Sequence, residues 1–434
     1  MTTIRSYICS VNDNNSHNTA KTFLLYGRVV DFRRSGGISF GHIQDQTGKV
    51  QFAFRKNEMG DNYKSAVSSI KIGVHIEIEG TLGQSSTGEA TIFATRMKLL
   101  QDVWRGYPDK INGISDPEQK VRKRYLDCIL NPKNKEIFKV RSKILGAIRN
   151  HMDYEHFMEV DTPVLSASAS GAQARPFVTH HNALNAELYM RIAPETYLKR
   201  AVLFGFEKVY EMGKNFRNEG LDPSHLQEFT SIEWYAAYHT AEDNMEIFSD
   251  MMMSIHACLD INMYEDYARS DIFDLTTATH IKYRDLFFSV TGQQVDSLSA
   301  QEVETLFKRL VRPTLQRPTF VTDYPAFLAP MAARKENDPN TADMWQFIYQ
   351  GWEVAKCYTE LTDPVLQRKL LEEQMEAKQN GDDEAMALEE DFLEAMEYGM
   401  PPMSGCGVGI DRLISLITNK KSLREVVMFP TLAS

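Results

Sequence analysis

Residues 216–235 read FRNEGLDPSHLQEFTSIEWY: a charged stretch, a polar loop and a run of alternating character. Arg217 and Glu219 stand two apart, the spacing that sends side chains to one face of an extended chain. In EFTSIEWY the same alternation separates Glu228, Thr230 and Ile232 from Phe229, Ser231, Glu233 and Tyr235. The stretch therefore reads as the end of a strand, a loop and a second strand. It brings an aromatic ring, two acids and an arginine to one sheet face, which suits a nucleotide and an amine. A hairpin with exposed ion pairs, worth ~0–1 kcal/mol each, has the same pattern.

Outward from this hairpin, strand-like runs lie at 187–193 and 207–212, and helical stretches near 196–203, 241–259 and 282–292. Upstream, Phe138, Val140, Ile144, Leu145, Ile148 and Met152 share one helical face, and MEVDTPV (158–164) reads as a strand closed by a proline. Downstream, Gly405–Gly409 (GCGVG) reads as a glycine-rich turn opening the helix IDRLISLIT. Glycines admit a phosphate close to the backbone and a helix N-terminus favours an anion, though the run matches neither the P-loop nor the dinucleotide fingerprint. Glu353 and Glu360 are seven apart around Trp352 and Tyr358. Such carboxylates hold Mg²⁺ with phosphates or a cationic substrate group, and a solvated helix face is the plainer alternative. This order of elements predicts an α+β domain over 125–434.

The N-terminal part is different. FLLYGRVVDF (23–32), ISFGHIQD, KVQFAF, GVHIEIEGTLG and EATIFATRMKLL form about five short strands with glycine turns. That pattern predicts a small Greek-key barrel of OB type over 1–104. A Pro- and Gly-bearing connector, 105–124, reads as a hinge. The net charge is −11, yet residues 1–105 carry 13 Lys and Arg against 9 Asp and Glu. A locally basic module in an acidic chain can still meet nucleic acid. Much of the acidic excess lies in 365–397, with 11 acids against 3 bases, which reads as solvated helix surface.

With 434 residues, 43% of them hydrophobic and 25% charged, the chain has the makings of two or three folded domains. Fibrous and largely disordered classes are excluded. No apolar run approaches the ~18 residues of a membrane span, and the first residues lack a secretory h-region. Five scattered cysteines, with no C-x-x-C pair, fit a cytoplasmic location and argue against structural zinc.

Taken together, the segments resemble the class II lysyl-tRNA synthetases with an N-terminal anticodon-binding OB domain, over about residues 22–430. The resemblance is carried by GRVVDFRRSGGISFGHIQDQTGKVQ, KVRKRYLDCILN, FMEVDTPVL, GAQARPFVTHHNAL, LYMRIAPETYLKR, VYEMGKNFRNEG with EFTSIEWYAAY, ELTDPVLQR and GCGVGIDRLISLITNKKSLREVVMFP. It implies an antiparallel-sheet catalytic domain that activates L-lysine with ATP and Mg²⁺ and passes it to tRNA(Lys). Arg217, Arg412 and Glu219 would be catalytic. ATP would meet Arg217, Glu219, His225, Phe229, Glu353, Gly409 and Arg412. Lysine would lie against Gly171, Glu195, Arg217, Glu233, Tyr235, Lys356 and Glu360, with Tyr235 and Glu360 taking its ε-amine. Glu353 and Glu360 would be metal ligands. Arg28, Phe40 and Gln51 match anticodon-reading positions, and Pro163 a homodimer interface.

This chain departs from the family at several points. Lys356 stands where an Asn is usual, Gln346 where an acidic metal ligand is usual, and Phe327 replaces an acid before Ala329-Pro330-Met331. Leu226-Gln227 replaces Asn-Pro in the loop of the hairpin. A lysine–protein ligase paralogue, an aspartyl or asparaginyl relative and an RNA-binding protein with lost activity are the alternatives. The lysine-type motifs and intact arginines weigh against them.

Overall fold

A computed structural model describes residues 4, 22–107, 114–168, 171–172, 174–220, 222–259, 271–379 and 388–432. The chain falls into two compact units, Met1–Ser115 and Asp116–Ser434. Of the expected connector, residues 108–113 lie outside the described residues, as do 380–387 of the acidic stretch.

In the first unit, strands β1 (Thr22–Ser35), β2 (Ile38–Gln44), β3 (Lys49–Arg55), β4 (His75–Gln84) and β5 (Ala90–Gln101) close into a barrel in the order β1-β2-β3-β5-β4. All pairs are antiparallel except β3 with β5. The alternation works as expected: Leu25, Val29, Ile43, Phe52, Phe54, Ile76, Ile78 and Ile92 point inward and are fully buried. Each such side chain contributes about 1.5–3 kcal/mol. A helix, Asn62–Ser69, lies between β3 and β4 and adds Tyr63 and Ala66 to the core.

The second unit carries two minor strands β6 (Met158–Glu159) and β7 (Leu165–Ser166), then β8 (Val178–His181), β9 (Ala186–Met190), β10 (Lys208–Phe216), β11 (Glu228–Ala237) and β12 (Thr279–Lys282). Strands β13 (Thr319–Pro325), β14 (Arg334–Lys335), β15 (Asp338–Tyr349), β16 (Trp352–Thr359) and β17 (Met403–Gly409) complete it. The main sheet runs β12-β13-β15-β16-β17-β11-β10-β6, with β14 beside β15. It is antiparallel at its centre and parallel only at its outer pairs, β12 with β13 and β10 with β6.

Helices α1 (Glu136–Tyr154), α2 (Glu195–Leu203), α3 (Ala241–Cys258) and α4 (Ile410–Ile417) flank this sheet. α1, α3 and α4 pack on one face, over Tyr210, Ile232, Trp234, Trp345, Phe347, Cys357, Cys406 and Val408. The indole nitrogens satisfy themselves there: Trp234 donates to Asn244 Oδ1 at 2.8 Å and Trp345 to the Ala241 carbonyl at 2.6 Å. Period-2 alternation then sends Glu233, Tyr235, Lys356, Tyr358, Gly405 and Gly407 to the opposite face.

Three local expectations change. The glycine run 405–409 is not a turn but strand β17, paired on one side with β11 and on the other with β16. Its helix begins directly after it, at Ile410. The strand expected over 158–164 shortens to Met158–Glu159, and Arg217 and Glu219 lie just past the end of β10.

Candidate active site

The face opposite α1, α3 and α4 holds a cavity of about 380 Å³. Register explains its contents. Glu233 pairs with Gly407, Gly407 with Lys356 and Lys356 with Gln346, so one row crosses four strands. Two residues on, Tyr235 pairs with Gly405 and Gly405 with Tyr358. The glycines form an open floor between acids and rings. A Cβ at Gly405 would stand 2.2 Å from Tyr235 Cε1 and 2.6 Å from Glu360 Oε1. At the rim, Gly171 has φ +84° and lies against Glu195, where a Cβ would be 3.2 Å from the glutamate's own.

One end is acidic. Glu195 from α2, Glu233 from β11 and Glu360 just beyond β16 converge with Tyr235 and Tyr358. Tyr358 Oη donates to Glu195 Oε1 at 2.8 Å. Lys199, one helical turn after Glu195, donates to the same oxygen at 2.7 Å and is ion-paired with Glu360. Burial, with Glu195 nearby, pushes the Glu233 carboxyl up to about 8 against the pull of Arg217 and Arg191. Burial likewise raises Glu360 to about 8, although Lys199 draws it back. For Lys199 the balance reverses: burial lowers it, but Glu195 and Glu360 more than compensate, and its ammonium is held above the usual lysine value.

The other end is basic. Arg217 stands 5.1 Å from the Phe229 ring centroid, and its hidden Nε has no hydrogen-bond partner. Burial and then Arg412 depress this guanidinium, while Glu219, Glu233 and Glu353 pull it back up. Arg412 Nη1 donates to the Glu353 carbonyl at 3.1 Å. Both arginines thus have donors to spare for an anion. His225 and Gly409 also line this end, with His225 Nδ1 2.6 Å from Asp222 Oδ2.

The structure therefore gathers Gly171, Glu195, Arg217, Glu219, His225, Phe229, Glu233, Tyr235, Glu353, Lys356, Gly409 and Arg412 around one cavity. Glu360 reaches the same face over Gly405. Of the two expected metal ligands, Glu353 lines the cavity, while Glu360 is ion-paired through Oε2 with Lys199. Among the described residues no three His, Cys, Asp or Glu side chains converge as a metal cluster. Gln346, in the row with Lys356, accepts from Tyr324 Oη at 2.7 Å.

Sequence reasoning missed Lys199, Tyr358 and the second layer behind Glu233. There Arg191 pairs with Glu211, and Thr162 donates to Glu211 at 2.6 Å. The (i, i+4) spacing of Glu195 and Lys199 was the available signal, but such pairs ordinarily lie on helix surfaces.

On the barrel, Arg28, Phe40 and Gln51 lie on the outward side. Phe40 is half-buried between inward-facing Ser39 and Gly41, and is not a core residue. Arg28 pairs with Gln44 and is hydrogen-bonded to Tyr107. Gln51 pairs with His42, donates to Glu89 at 2.8 Å and accepts from Thr91 Oγ1 at 2.8 Å. Its amide is thereby fixed in orientation. Pro163 is exposed beside Val164 (41%) and Leu165 (47%).

Comparison with known proteins matches residues 116–433 to the family of class II tRNA synthetases (D, K and N), and residues 23–100 to the OB-fold nucleic acid binding domain. Among similar proteins, the lysine–tRNA ligase of Leuconostoc citreum (strain KM20) is 39% identical over 431 residues, covering 94% of this chain and 87% of that protein. The lysine–tRNA ligase of Latilactobacillus sakei subsp. sakei (strain 23K) is 40% identical, covering 94% and 85%. That of Aquifex aeolicus (strain VF5) is also 40% identical, covering 94% and 72%.

Proposed function

The chain belongs to the class II tRNA synthetases of the D, K and N group, and from this we infer that it joins L-lysine to tRNA(Lys) through a lysyl-adenylate. One observation carries the choice of amino acid: the carboxylates of Glu195 and Glu233 and two tyrosines line the end of the cavity opposite Arg217 and Arg412, with the Glu360 carboxylate close behind at Gly405. A substrate with two ammonium groups needs such paired negative charge once it leaves water. A neutral isostere would leave unpaired the negative charge that Lys199 does not balance, a penalty of the kind that gives selectivity.

In the first step a lysine carboxylate oxygen attacks the α-phosphorus of ATP, a new P–O bond forms and pyrophosphate leaves. Charge grows on the phosphoryl oxygens, and fixed cations stabilise it without covalent catalysis. Arg217 would meet the carboxylate and α-phosphate, and Arg412 the far phosphates. Phe229 offers a face to the adenine, with Glu219, His225 and Gly409 around the nucleotide. In the second step a hydroxyl of the terminal adenosine of tRNA attacks the carbonyl and AMP departs.

Mg²⁺ fits the basic end as a companion of the triphosphate. The Glu353 carboxylate makes no hydrogen bond or ion pair among the described residues, and one carboxylate beside substrate phosphates is a usual Mg²⁺ donor set. Bound there, the ion would neutralise charge on the leaving pyrophosphate. Glu360 is not part of this donor set.

The barrel's outer face, with Phe40 to stack a base and Gln51 and Arg28 to bond its edges, suits the unstacked bases of an anticodon. Exposed Pro163, Val164 and Leu165 support a homodimer interface, and the absence of any helix long and apolar enough to cross a membrane among the described residues is compatible with a cytoplasmic enzyme. The deciding experiment is ATP–pyrophosphate exchange over a panel of amino acids. Exchange with lysine alone is expected, and exchange with aspartate or asparagine instead would overturn the assignment.

A further inference from the structure

Lys199 is sealed in the wall of the amino-acid end, 0% exposed. Its Nζ is shared by Glu195 Oε1 at 2.7 Å and by Glu360, and it lies 5.9, 5.8 and 5.6 Å from the ring centroids of Tyr235, Tyr358 and Phe392. An ammonium so placed is tolerable only with paired charge. The other Glu360 oxygen, Oε1, is hidden and has no hydrogen-bond partner. It points at the space above Gly405, where a Cβ would meet it at 2.6 Å.

We propose that Lys199 is a positioning and specificity-determining residue: a built-in first ammonium that orients Glu195 and Glu360, presents Glu360 Oε1 over Gly405, and leaves the pocket room for two further ammonium groups. The proposal rests on the lysine reading above.

The charges balance on this count. Glu195, Glu233 and Glu360 face Lys199 and Arg217, so the amino-acid end carries one net negative charge with all five ionised. Lysine, with two ammoniums and one carboxylate, brings one positive. Lys356, the other cation on this side, is solvent-exposed and screened.

The groups facing the cluster are Glu195 and Lys199 on α2, Glu233 and Tyr235 on β11, and Tyr358 and Glu360 at β16. The helix Glu390–Glu397 covers it with Phe392, and the buried Glu389 at its start is taken by Arg200 of α2. Arg217 and the Arg191–Glu211 pair stand behind Glu233. With two internal cations among three acids, burial still holds the Glu233 and Glu360 carboxyls above the usual carboxylate range, which favours protons on them in the empty pocket. Entering lysine displaces them to solvent. Without Lys199, Glu360 would hold its proton more tightly, and the arriving ammonium would have to displace it at greater cost.

The test is pyrophosphate exchange by wild type and Lys199→Met between pH 7 and 9. At pH 7 the variant should show a KM for lysine raised at least ~tenfold, as one unit of proton affinity requires. Its kcat at saturating lysine should stay within ~threefold and its KM for ATP unchanged, the pattern of lost substrate binding. The KM gap should shrink at least ~threefold by pH 9, as solvent removes the proton instead. A gap that is constant with pH, or a kcat loss at unchanged KM, would overturn the proposal.

Should Lys199→Met fail to fold, Lys199→Arg decides. It keeps the charge but not the geometry of the sealed site, so KM for lysine should still rise at least ~tenfold with kcat within ~threefold, and an unchanged KM overturns the proposal. The two levels separate cleanly: a wild type that exchanges with lysine while these readouts fail loses only the role of Lys199. A wild type without lysine-dependent exchange loses the functional reading itself.

Discussion

Asp411 and Arg141 form an ion pair, 2.5 Å from Oδ1 to Nη1, inside the junction of α1, β11 and α4. The other Asp411 oxygen accepts the Thr230 backbone N–H at 2.7 Å, and Arg141 Nη2 donates to Thr230 Oγ1 at 2.9 Å. Phe229 precedes Thr230 and Arg412 follows Asp411, so this triangle sets the spacing between the ring and the cation of the nucleotide end. Asp411 is nearly sealed (2% exposed), and removing one partner of a buried pair leaves the other uncompensated.

Asp411→Asn should therefore destabilise the second unit by about 3 kcal/mol, seen as a lowered melting temperature. It should also raise KM for ATP more than KM for lysine. An unchanged melting temperature, or a purely lysine-side defect, would show that the triangle does not hold the nucleotide end.

The floor of the pocket gives a contrast between two glycines in one strand. At Gly405 a Cβ meets Tyr235 at 2.2 Å and Glu360 at 2.6 Å, whereas at Gly407 the nearest atom, Glu233 Cγ, is 3.4 Å away. Gly405→Ala must displace the ring or the acid, and misplacement of about 1 Å costs on the order of 100-fold, here in kcat/KM for lysine. Gly407→Ala makes only ordinary contact, and a change of no more than about 0.5 kcal/mol, roughly twofold, is expected. Lysine-dependent exchange by the two variants checks the pair, and equal effects would refute the described floor.

These glycines also show where the sequence was readable and where it was not. The β10–β11 hairpin announced itself, because Phe229, Ser231, Glu233 and Tyr235 alternate with apolar Ile232 and Trp234 that the helices cover. Strand β17 did not, because GCGVG has few side chains to alternate. Its extended form is imposed by β11 and β16 on either side, a tertiary effect that propensity does not contain. Lys199 was hidden for a related reason. A Glu–Lys pair one turn apart looks like helix surface, and only the approach of Glu360, 161 positions later in the chain, turns it into a buried cluster. The barrel was legible from its strands and glycine turns, but the outward placement of Phe40 was not: between Ser39 and Gly41 the aromatic ring reads as the inward residue, and only the barrel's register turns it outward.

That placement leads to a test on the first unit. Phe40 and Gln51 lie on the barrel's outer face, and Gln51 is oriented by Glu89 and Thr91. Stacking of a base on an aromatic ring is worth about 1–3 kcal/mol. Phe40→Ala should then reduce kcat/KM for tRNA by roughly five- to 150-fold while leaving lysine-dependent pyrophosphate exchange intact. Gln51→Ala should act in the same direction. A parallel loss of exchange would mean that these residues support the enzyme's structure rather than its contact with RNA.

Lys356 lines the cavity where the family resemblance implies an Asn. Its side chain is exposed, and its ammonium lies 5.6 Å from the Tyr358 ring centroid. Tyr358 in turn donates to Glu195, so Lys356 touches the lysine pocket through that ring. An exposed cation–π contact is worth about 0.5–1 kcal/mol, which bounds the effect of losing it. Lys356→Asn should therefore shift KM for lysine by at most about fivefold, with kcat nearly unchanged. The neighbouring Gln346 is independently held by Tyr324 and should not move. Steady-state exchange kinetics measure this directly, and a tenfold or larger gain in kcat would mean that the lysine at 356 obstructs the reacting carboxylate.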